Sequence, residues 1–321
     1  DIYRSERVEE KDPQKLLDNM EVRNYMAALK HATSVKDESI REDLILELHK
    51  ILLNGVRGEN KSPGKYREVQ VFVGNRGDDV DTATFVPVPP EIVYWKMRNL
   101  YDYINSPNET TLLAAALSHY QFETIHPFLD GNGRVGRLMI LLYLLEQGYI
   151  SKPIIYISYF LKKNQIEYYD RISEVRRSGN YEQWVGFFLE AVSAAAKDSL
   201  ATVEKLSALH EGNVERLPVT TRKNDNARRV FDYIEQYPII DIKRTAADLG
   251  VSIGAVCQLS VHSEVNGLTQ LLSGNTVKGN IIVVLTAGGS TLPLALRNLN
   301  NLVCSAVGIG LDDRHHIIHV F

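Results

Sequence analysis

The sequence predicts a mainly helical protein with a β-hairpin flap, followed by a smaller domain of the helix-turn-helix type. Long stretches carry apolar residues spaced three and four apart, which is the helical period. One interruption over 55–90 is rich in Gly, Pro and Asp, and a second helical pattern begins near residue 226. Since 321 residues is about twice the length of a typical domain, we expect two domains.

The first helices are predicted at 14–33 and 38–54, where apolar side chains recur on one face. Two short β-prone segments follow, Glu68–Val73 and Thr82–Val88, with polar and glycine residues between them. This arrangement predicts the β-hairpin. Helical periodicity then returns in five segments, at 91–105, 111–125, 134–147, 162–178 and 181–209.

A second domain is predicted from Asn226 onward. Residues 227–238 form one expected helix, and 242–260 show a helix, a turn at Gly250 and another helix, which is the spacing of a helix-turn-helix. From residue 259 onward only six of the last 63 residues are charged, and no structural pattern is evident. We therefore divide the chain into 1–215, 226–270 and an unassigned tail, 271–321.

Composition excludes several classes of protein. A net charge of -4 argues against a protein that mainly coats nucleic acid. Two cysteines cannot form a disulfide framework, and they fit a reducing compartment. The longest apolar run, 138–145, is eight residues, against the roughly 20 needed to span a bilayer, and no signal-peptide pattern opens the sequence. We expect a cytoplasmic protein without a membrane segment.

The most informative segment is 126–137, with the sequence HPFLDGNGRVGR. Its Gly-Asn-Gly turn tolerates positive φ and lets backbone N–H groups converge, and the apolar helix that follows must be buried. The N-terminus of that helix therefore presents free N–H groups and a positive dipole, which favours an anion. Arg134 and Arg137 lie on the same helical face at this end, and two guanidiniums suit a polyphosphate.

Two further residues of this segment complete the predicted chemistry. Asp130 supplies the hard oxygen that a phosphate-bridging Mg²⁺ requires, and His126 is suited to act as a base near neutral pH. Each residue alone has a structural explanation, but packing does not readily explain their combination within twelve residues. The sequence has neither a Walker A loop nor a dinucleotide-binding fingerprint.

The segment resembles the Fic-domain signature H-P-F-x-[DE]-G-N-G-R-x-x-R at every defined position, and the similarity to bacterial Fic proteins with a C-terminal winged helix extends over roughly residues 1–260. The resemblance implies a Fic helical bundle and a protein adenylyltransferase. Such an enzyme transfers AMP from ATP to a Ser, Thr or Tyr hydroxyl of a protein, which could be the chain itself, and releases pyrophosphate.

The resemblance also implies individual roles. His126 would be the catalytic base and Asp130 the Mg²⁺ ligand. The expected nucleotide contacts come from the motif, the flap and one later helix: Val73, Gly74, Asn75, Arg76, Asp130, Gly131, Asn132, Gly133, Arg134, Arg137 and Tyr168. The residues themselves leave alternatives open, because Tyr168 on a helix also fits a core edge and 71–76 also fit a plain covering hairpin. His119 is expected to be a packed core histidine.

Two other functions stay open at this stage. One is a DNA-binding regulator that contacts DNA through 226–260 and uses its Fic domain as a nucleotide sensor. The other is a Fic relative that transfers a different phosphate-containing group. A homodimer is a further arrangement that the sequence leaves open.

Relatives of this architecture usually carry an inhibitory helix with the pattern [ST]-x-x-x-E-[GN]. The resemblance places this helix upstream of Asp1, so we expect the chain as given to be unrestrained. Residues 207–212, which end in Glu211 and Gly212, also match the pattern, although they follow the core helices.

Overall fold

The computed structural model describes residues 12–35, 39–74, 77–107, 109–216, 222–237, 239–240, 242–254, 256, 283–284 and 317–320. The chain divides into two compact units. The first comprises Asp12–Lys197 and Ala306–Phe321, and the second comprises Asp1–Lys11 and Asp198–Ser305. The predicted domain limits at 215, 226 and 270 stay predictions.

The first unit is a helical bundle, as predicted. Its helices in chain order are α1 (Pro13–Ser34), α2 (Glu42–Leu52), α3 (Pro90–Asn105), α4 (Thr111–Ile125), α5 (Asn132–Glu146), α6 (Ile157–Lys163), α7 (Gln165–Ser178) and α8 (Tyr181–Arg216), the last of which continues into the second unit. No helix in the described ranges is long and apolar enough to cross a membrane.

Helix α5 forms the centre of this bundle. Eleven of its fifteen residues are buried, because the segment Leu138–Leu144 is apolar on every side of the helix. Helices α1, α2 and α4 pack against it. A helix without a polar face has to be enclosed by its neighbours, so the N-terminus of α5 is held at a fixed place in the structure.

The predicted helix 162–178 is two helices. Its N-terminal part belongs to α6, and the chain turns at Asn164 before α7 begins. The Asn164 amide Nδ2 donates to Phe160 O at 2.9 Å, and this side-chain bond competes with continued helix. The predicted helix 134–147 begins two residues earlier than expected, at Asn132.

The predicted hairpin has only one true strand, β1 (Val71–Gly74). The expected second strand, Thr82–Val88, reduces to a single bridge in which the backbones of Val73 and Phe85 exchange two hydrogen bonds of 2.8 and 3.0 Å. Pro87 removes a donor from this segment, and Pro89 and Pro90 follow it directly, which explains why it does not continue as a strand. The backbone of β1 also pairs antiparallel with β4 (Ile317–Val320).

The second unit contains α9 (Arg222–Gln236) and α10 (Ile242–Leu249), and β2 (Ile239–Ile240) pairs with β3 (Val283–Val284). Val230, Ile242, Ala246 and Val256 form a small apolar core. Helix α10 ends at Leu249, and Gly250 follows it with a φ of +62°, as the predicted turn requires. Most of the second helix of the predicted helix-turn-helix lies outside the described residues.

Trp184 on α8 is the largest fully buried side chain of the core, and its indole Nε1 donates to Ala116 O at 2.9 Å. We expect Trp184→Phe to lower the free energy of unfolding by about 2–3 kcal/mol, because the hydrogen bond is lost and a void remains. Urea denaturation followed by far-UV circular dichroism measures this change.

The chain's other tryptophan provides the control. Trp95 is 59% exposed, so Trp95→Phe should change stability by less than about 0.5 kcal/mol. Equal effects of the two substitutions would show that Trp184 does not hold α8 against α4.

Candidate active site

The predicted motif forms the junction between α4 and α5. His126 caps the C-terminus of α4 with φ +50° and ψ 63°, a left-handed conformation that non-glycine residues rarely adopt. Its N–H still bonds to Phe122 O at 2.9 Å. This single residue turns the chain out of one helix toward the next, and its side chain is 8% exposed.

Arg67 holds this strained turn in place. Its Nε donates to His126 O at 2.9 Å, its Nη2 contacts Ile125 O at 3.4 Å, and its backbone N–H donates to Pro127 O at 2.9 Å. The guanidinium is buried, and burial lowers the pKa of Arg67 to about 10, so it stays charged at neutral pH. It satisfies carbonyls that the end of α4 would otherwise leave without donors.

His49 supports the next part of the loop from α2. Its ring stacks on Phe128 with 3.8 Å between the centroids. Its Nδ1 accepts the Gly64 N–H at 2.9 Å, so its Nε2 carries the proton and donates to Asp130 O at 2.9 Å. Burial is the main cause that lowers the pKa of His49 to about 4. The neutral ring therefore fastens the motif loop at Phe128 and Asp130 and ties it to Gly64.

Asn132 braces the loop from within. Its Oδ1 accepts the Phe128 N–H at 2.9 Å, and its Nδ2 donates to Phe128 O at 2.8 Å. The side chain is buried, and both ends of the amide are bonded to the loop backbone. Its predicted contact with a nucleotide stays a prediction.

Asp130 and Arg134 form an ion pair at the start of α5. The Arg134 Nη2 lies 3.1 Å from Asp130 Oδ1, which also accepts the Gly131 N–H. Arg134 is buried, whereas the Asp130 side chain is 37% exposed. A carboxylate that keeps one exposed side can accept a further cation or donor.

Arg137 lies over the first turn of α5. A Cβ built on Gly133 would come within 2.9 Å of the Arg137 Nη1, so the guanidinium rests directly on that backbone. Gly131, at φ +83°, precedes the helix. The first N–H groups of α5 and both motif arginines therefore gather at one helix N-terminus, which is the arrangement that binds anions in proteins.

A Mg²⁺ ion fits this donor set through Asp130. Mg²⁺ in phosphate-transfer sites is commonly held by one or two carboxylates together with substrate phosphates. Within the described ranges no group of three or more His, Cys, Asp or Glu side chains is placed to hold a metal by itself. The half-exposed Asp130 carboxylate would hold the ion against phosphates bound at α5.

His119 and Tyr168 lie in the aromatic core beside this site. The Tyr168 hydroxyl lies 3.0 Å from His119 Nε2, and both residues pack around Trp184. Burial and then the charge of Arg137 lower the pKa of His119 to about 3, and burial raises the pKa of Tyr168. His119 is the packed core histidine that we expected. Tyr168 is 7% exposed, and its contact with adenine stays a prediction.

Of the predicted flap residues, Val73 and Gly74 lie in β1, whereas Asn75 and Arg76 lie outside the described residues. Sequence reasoning missed His49 and Arg67 as supports of the motif. The position of Arg67, three residues after the Pro-Gly turn at 63–64, was the only available signal for it. His49 sits on an amphipathic helix and gave no signal of its own.

The low pKa of His49 predicts a pH-dependent stability. Between about pH 6.5 and pH 4 the unfolded chain binds a proton at this residue and the folded chain does not, so the free energy of unfolding falls as the pH falls. The contribution is at most about 1.4 kcal/mol per pH unit. His49→Gln should flatten the slope, as measured by urea unfolding across this pH range.

The control for this prediction is Trp95→Phe, which changes an exposed side chain and removes no titratable group. This variant should keep the wild-type slope. An unchanged slope in His49→Gln would contradict the account of His49 as a neutral support.

Comparison with known proteins agrees with this geometry. Residues 39–144 match the Fic/DOC family. A Nematostella vectensis protein named protein adenylyltransferase Fic is 29% identical over 217 residues, covering 66% of this chain and 47% of the relative. A Caenorhabditis elegans protein named protein adenylyltransferase fic-1 is 33% identical over 119 residues, covering 36% of this chain and 21% of the relative. The chain thus spans less than half the length of these curated relatives.

The fold is also found in a solved structure. The crystal structure of a Fic family protein from Desulfovibrio desulfuricans G20 matches over 90% of this chain and 80% of its own, with a TM-score of 0.55 and 22% identity. This likeness establishes the fold. Together, the family match and the motif at the junction of α4 and α5 show that residues 39–144 form a Fic domain of the Fic/DOC family.

Proposed function

We propose that the chain is a protein adenylyltransferase, a nucleotidyltransferase that moves AMP from ATP to a Ser, Thr or Tyr hydroxyl of a protein. The observation that carries this proposal is the position of His126 at the end of α4, close in the chain to the N-terminus of α5. That N-terminus presents backbone N–H groups and carries Arg134 and Arg137. Protein adenylyltransferases are also the named activity of the relatives described above.

The reaction needs one bond to form and one to break. The hydroxyl oxygen of the target attacks the α-phosphorus of ATP, and the bond from that phosphorus to the bridging oxygen of the β-phosphate breaks. Pyrophosphate leaves, and His126 takes the proton of the hydroxyl. Such general base catalysis contributes about 10²–10⁴ in rate.

The remaining groups act on charge and position. The N–H groups at the start of α5 receive the α-phosphate, and Arg134 and Arg137 neutralise the β- and γ-phosphates. Asp130 would hold Mg²⁺, which would supply Lewis-acid neutralisation of the phosphate charge. Charge neutralisation and positioning are the main catalytic contributions in phosphoryl-type transfer.

The flap and Tyr168 complete the proposed nucleotide site. Residues 73–76 would line the nucleotide. An extended target segment would add to the flap as a strand in place of β4, which pairs with β1 in the structure. Tyr168, which is 7% exposed, would border the adenine. The acceptor protein includes the chain itself as one candidate.

We further propose a cytoplasmic location and a winged-helix-like second domain. Its Lys243 and Arg244 are exposed on α10, so DNA contact through 226–260 is the function that these residues would support. Few basic residues follow, which limits the number of phosphate contacts. A homodimer is the remaining partner hypothesis.

The experiment that tests the transferred group uses ATP labelled at the α- or the γ-phosphate, with the chain alone and with a cell lysate. Label from the α-phosphate should become bound to protein, and label from the γ-phosphate should not. Protein-bound γ-label would instead support transfer of phosphate.

We expect His126→Ala to reduce α-label transfer by about 10²–10⁴, because the base acts only in the chemical step. ATP affinity, measured by calorimetry, should change by less than about threefold. His31→Ala, at the bundle surface, should keep the wild-type rate. Loss of ATP binding in His126→Ala would contradict the assignment of His126 as a base that acts only in the chemical step.

We expect Arg137→Ala to weaken the binding of ATP by about 10- to 100-fold and the binding of ADP by less than about threefold. The reason is that a charge-assisted bond to the γ-phosphate, which ADP lacks, is lost. Calorimetric titration with both nucleotides and Mg²⁺ measures the difference. Arg98→Ala, at an exposed position on α3, is the matched control. Equal weakening of ATP and ADP would assign Arg137 to another phosphate.

A further inference from the structure

Arg176 on α7 contacts the flap through an aromatic ring. Its Cζ lies 3.4 Å from the centroid of the Phe85 ring, which is close stacking for a cation on an aromatic face. Phe85 is the residue whose backbone exchanges two hydrogen bonds with Val73 of β1. The guanidinium therefore contacts the residue that bridges to the flap strand.

The same guanidinium also reaches the helix that carries His126. Its Nη2 lies 3.4 Å from Glu123 O, three residues before His126 on α4. Burial lowers the pKa of Arg176, and the neighbouring Tyr120 and Glu123 oppose that effect. A cation that is removed from water in this way gains more from an aromatic face than an exposed one.

Arg67 makes a second link between the flap and the end of α4, through hydrogen bonds. Its Nη2 donates to Val88 O, and its Nε donates to His126 O at 2.9 Å. The return segment of the flap, 85–88, is thus fixed at both ends by an arginine. Each arginine is bonded in turn to a backbone carbonyl in the last turn or the C-cap of α4.

We infer that Arg176 is a positioning residue, which holds the flap strand at a fixed height above the motif loop. The inference rests on the proposed function, in which the flap covers the nucleotide and presents the target hydroxyl to His126. β4 pairs with one edge of β1, whereas the other edge has the single bridge to Phe85. The contact of Arg176 with the Phe85 ring constrains the flap on this weakly bonded side.

The geometry requires an arginine at this position. A planar guanidinium can stack on Phe85 with its face while an edge N–H points to Glu123 O. A lysine ammonium has no flat face and cannot meet both partners in this way. Arg176→Lys should therefore lose most of the restraint on the flap, although it keeps the positive charge.

Hydrogen exchange followed by mass spectrometry tests this inference without a measurement of catalytic activity. Arg176→Met should speed exchange in peptides covering 71–88 by about tenfold, which corresponds to about 1.4 kcal/mol of local opening. Peptides from α5 should exchange as in the wild type. Arg176→Lys should show the same local change, and it serves as the variant of choice if Arg176→Met folds poorly.

The neighbouring arginine provides the matched control. Arg177 has a side chain that is 77% exposed and pairs only locally with Glu174, so Arg177→Met should leave flap exchange unchanged. Phe85→Leu should reproduce the effect of Arg176→Met, and the double variant should add little, since both remove the same contact.

Activity gives a second readout. In Arg176→Met the maximal rate of protein labelling from α-labelled ATP should fall about tenfold, while the half-saturating ATP concentration should stay within about twofold. If the wild type transfers no α-label, the proposed function fails, and flap exchange still decides the role of Arg176. Unchanged flap exchange, or faster exchange throughout the first unit, would overturn the inference.

Discussion

The bond from Arg67 to the carbonyl of His126 is the interaction on which the site depends. A non-glycine residue in the left-handed region costs of order 1–3 kcal/mol, and it persists only where surrounding contacts over-determine it. Arg67 supplies these contacts from a buried position, because it bonds to the carbonyls of His126 and Ile125 at once. Without this turn, α5 could not begin within six residues of the histidine.

The second constraint is the enclosure of α5. Since the segment Leu138–Leu144 of this helix is apolar on all sides, the neighbouring helices fix its axis, and its N-terminal N–H groups therefore point to a fixed place. His49 and Asn132 then hold the intervening loop from two directions, so that Asp130, Arg134 and Arg137 gather without large rearrangement. Preorganised charge of this kind lowers barriers because no reorganisation is needed during the reaction.

Much of this could be predicted from local sequence. The helices follow from apolar spacing, and the anion site follows from glycines, arginines and a buried helix that are close together in the chain. The supports could not be predicted, because His49 and Arg67 lie 81 and 59 residues from the atoms they hold. The prediction of a second flap strand at Thr82–Val88 was wrong. Its β-branched residues favour a strand, but Pro87 has no N–H donor to continue the strand pairing. The helix break at Asn164, whose φ of -110° and ψ of 37° depart from helix, leaves the spacing of apolar residues unchanged, so spacing alone does not reveal it.

A crystal structure with Mg²⁺ and a non-hydrolysable ATP analogue tests the central claim most directly. The account predicts the α-phosphate at the N–H groups of α5, the β- and γ-phosphates at Arg134 and Arg137, and the α-phosphorus facing His126 with the pyrophosphate on its far side. A triphosphate bound in the reverse direction, or away from α5, would contradict it.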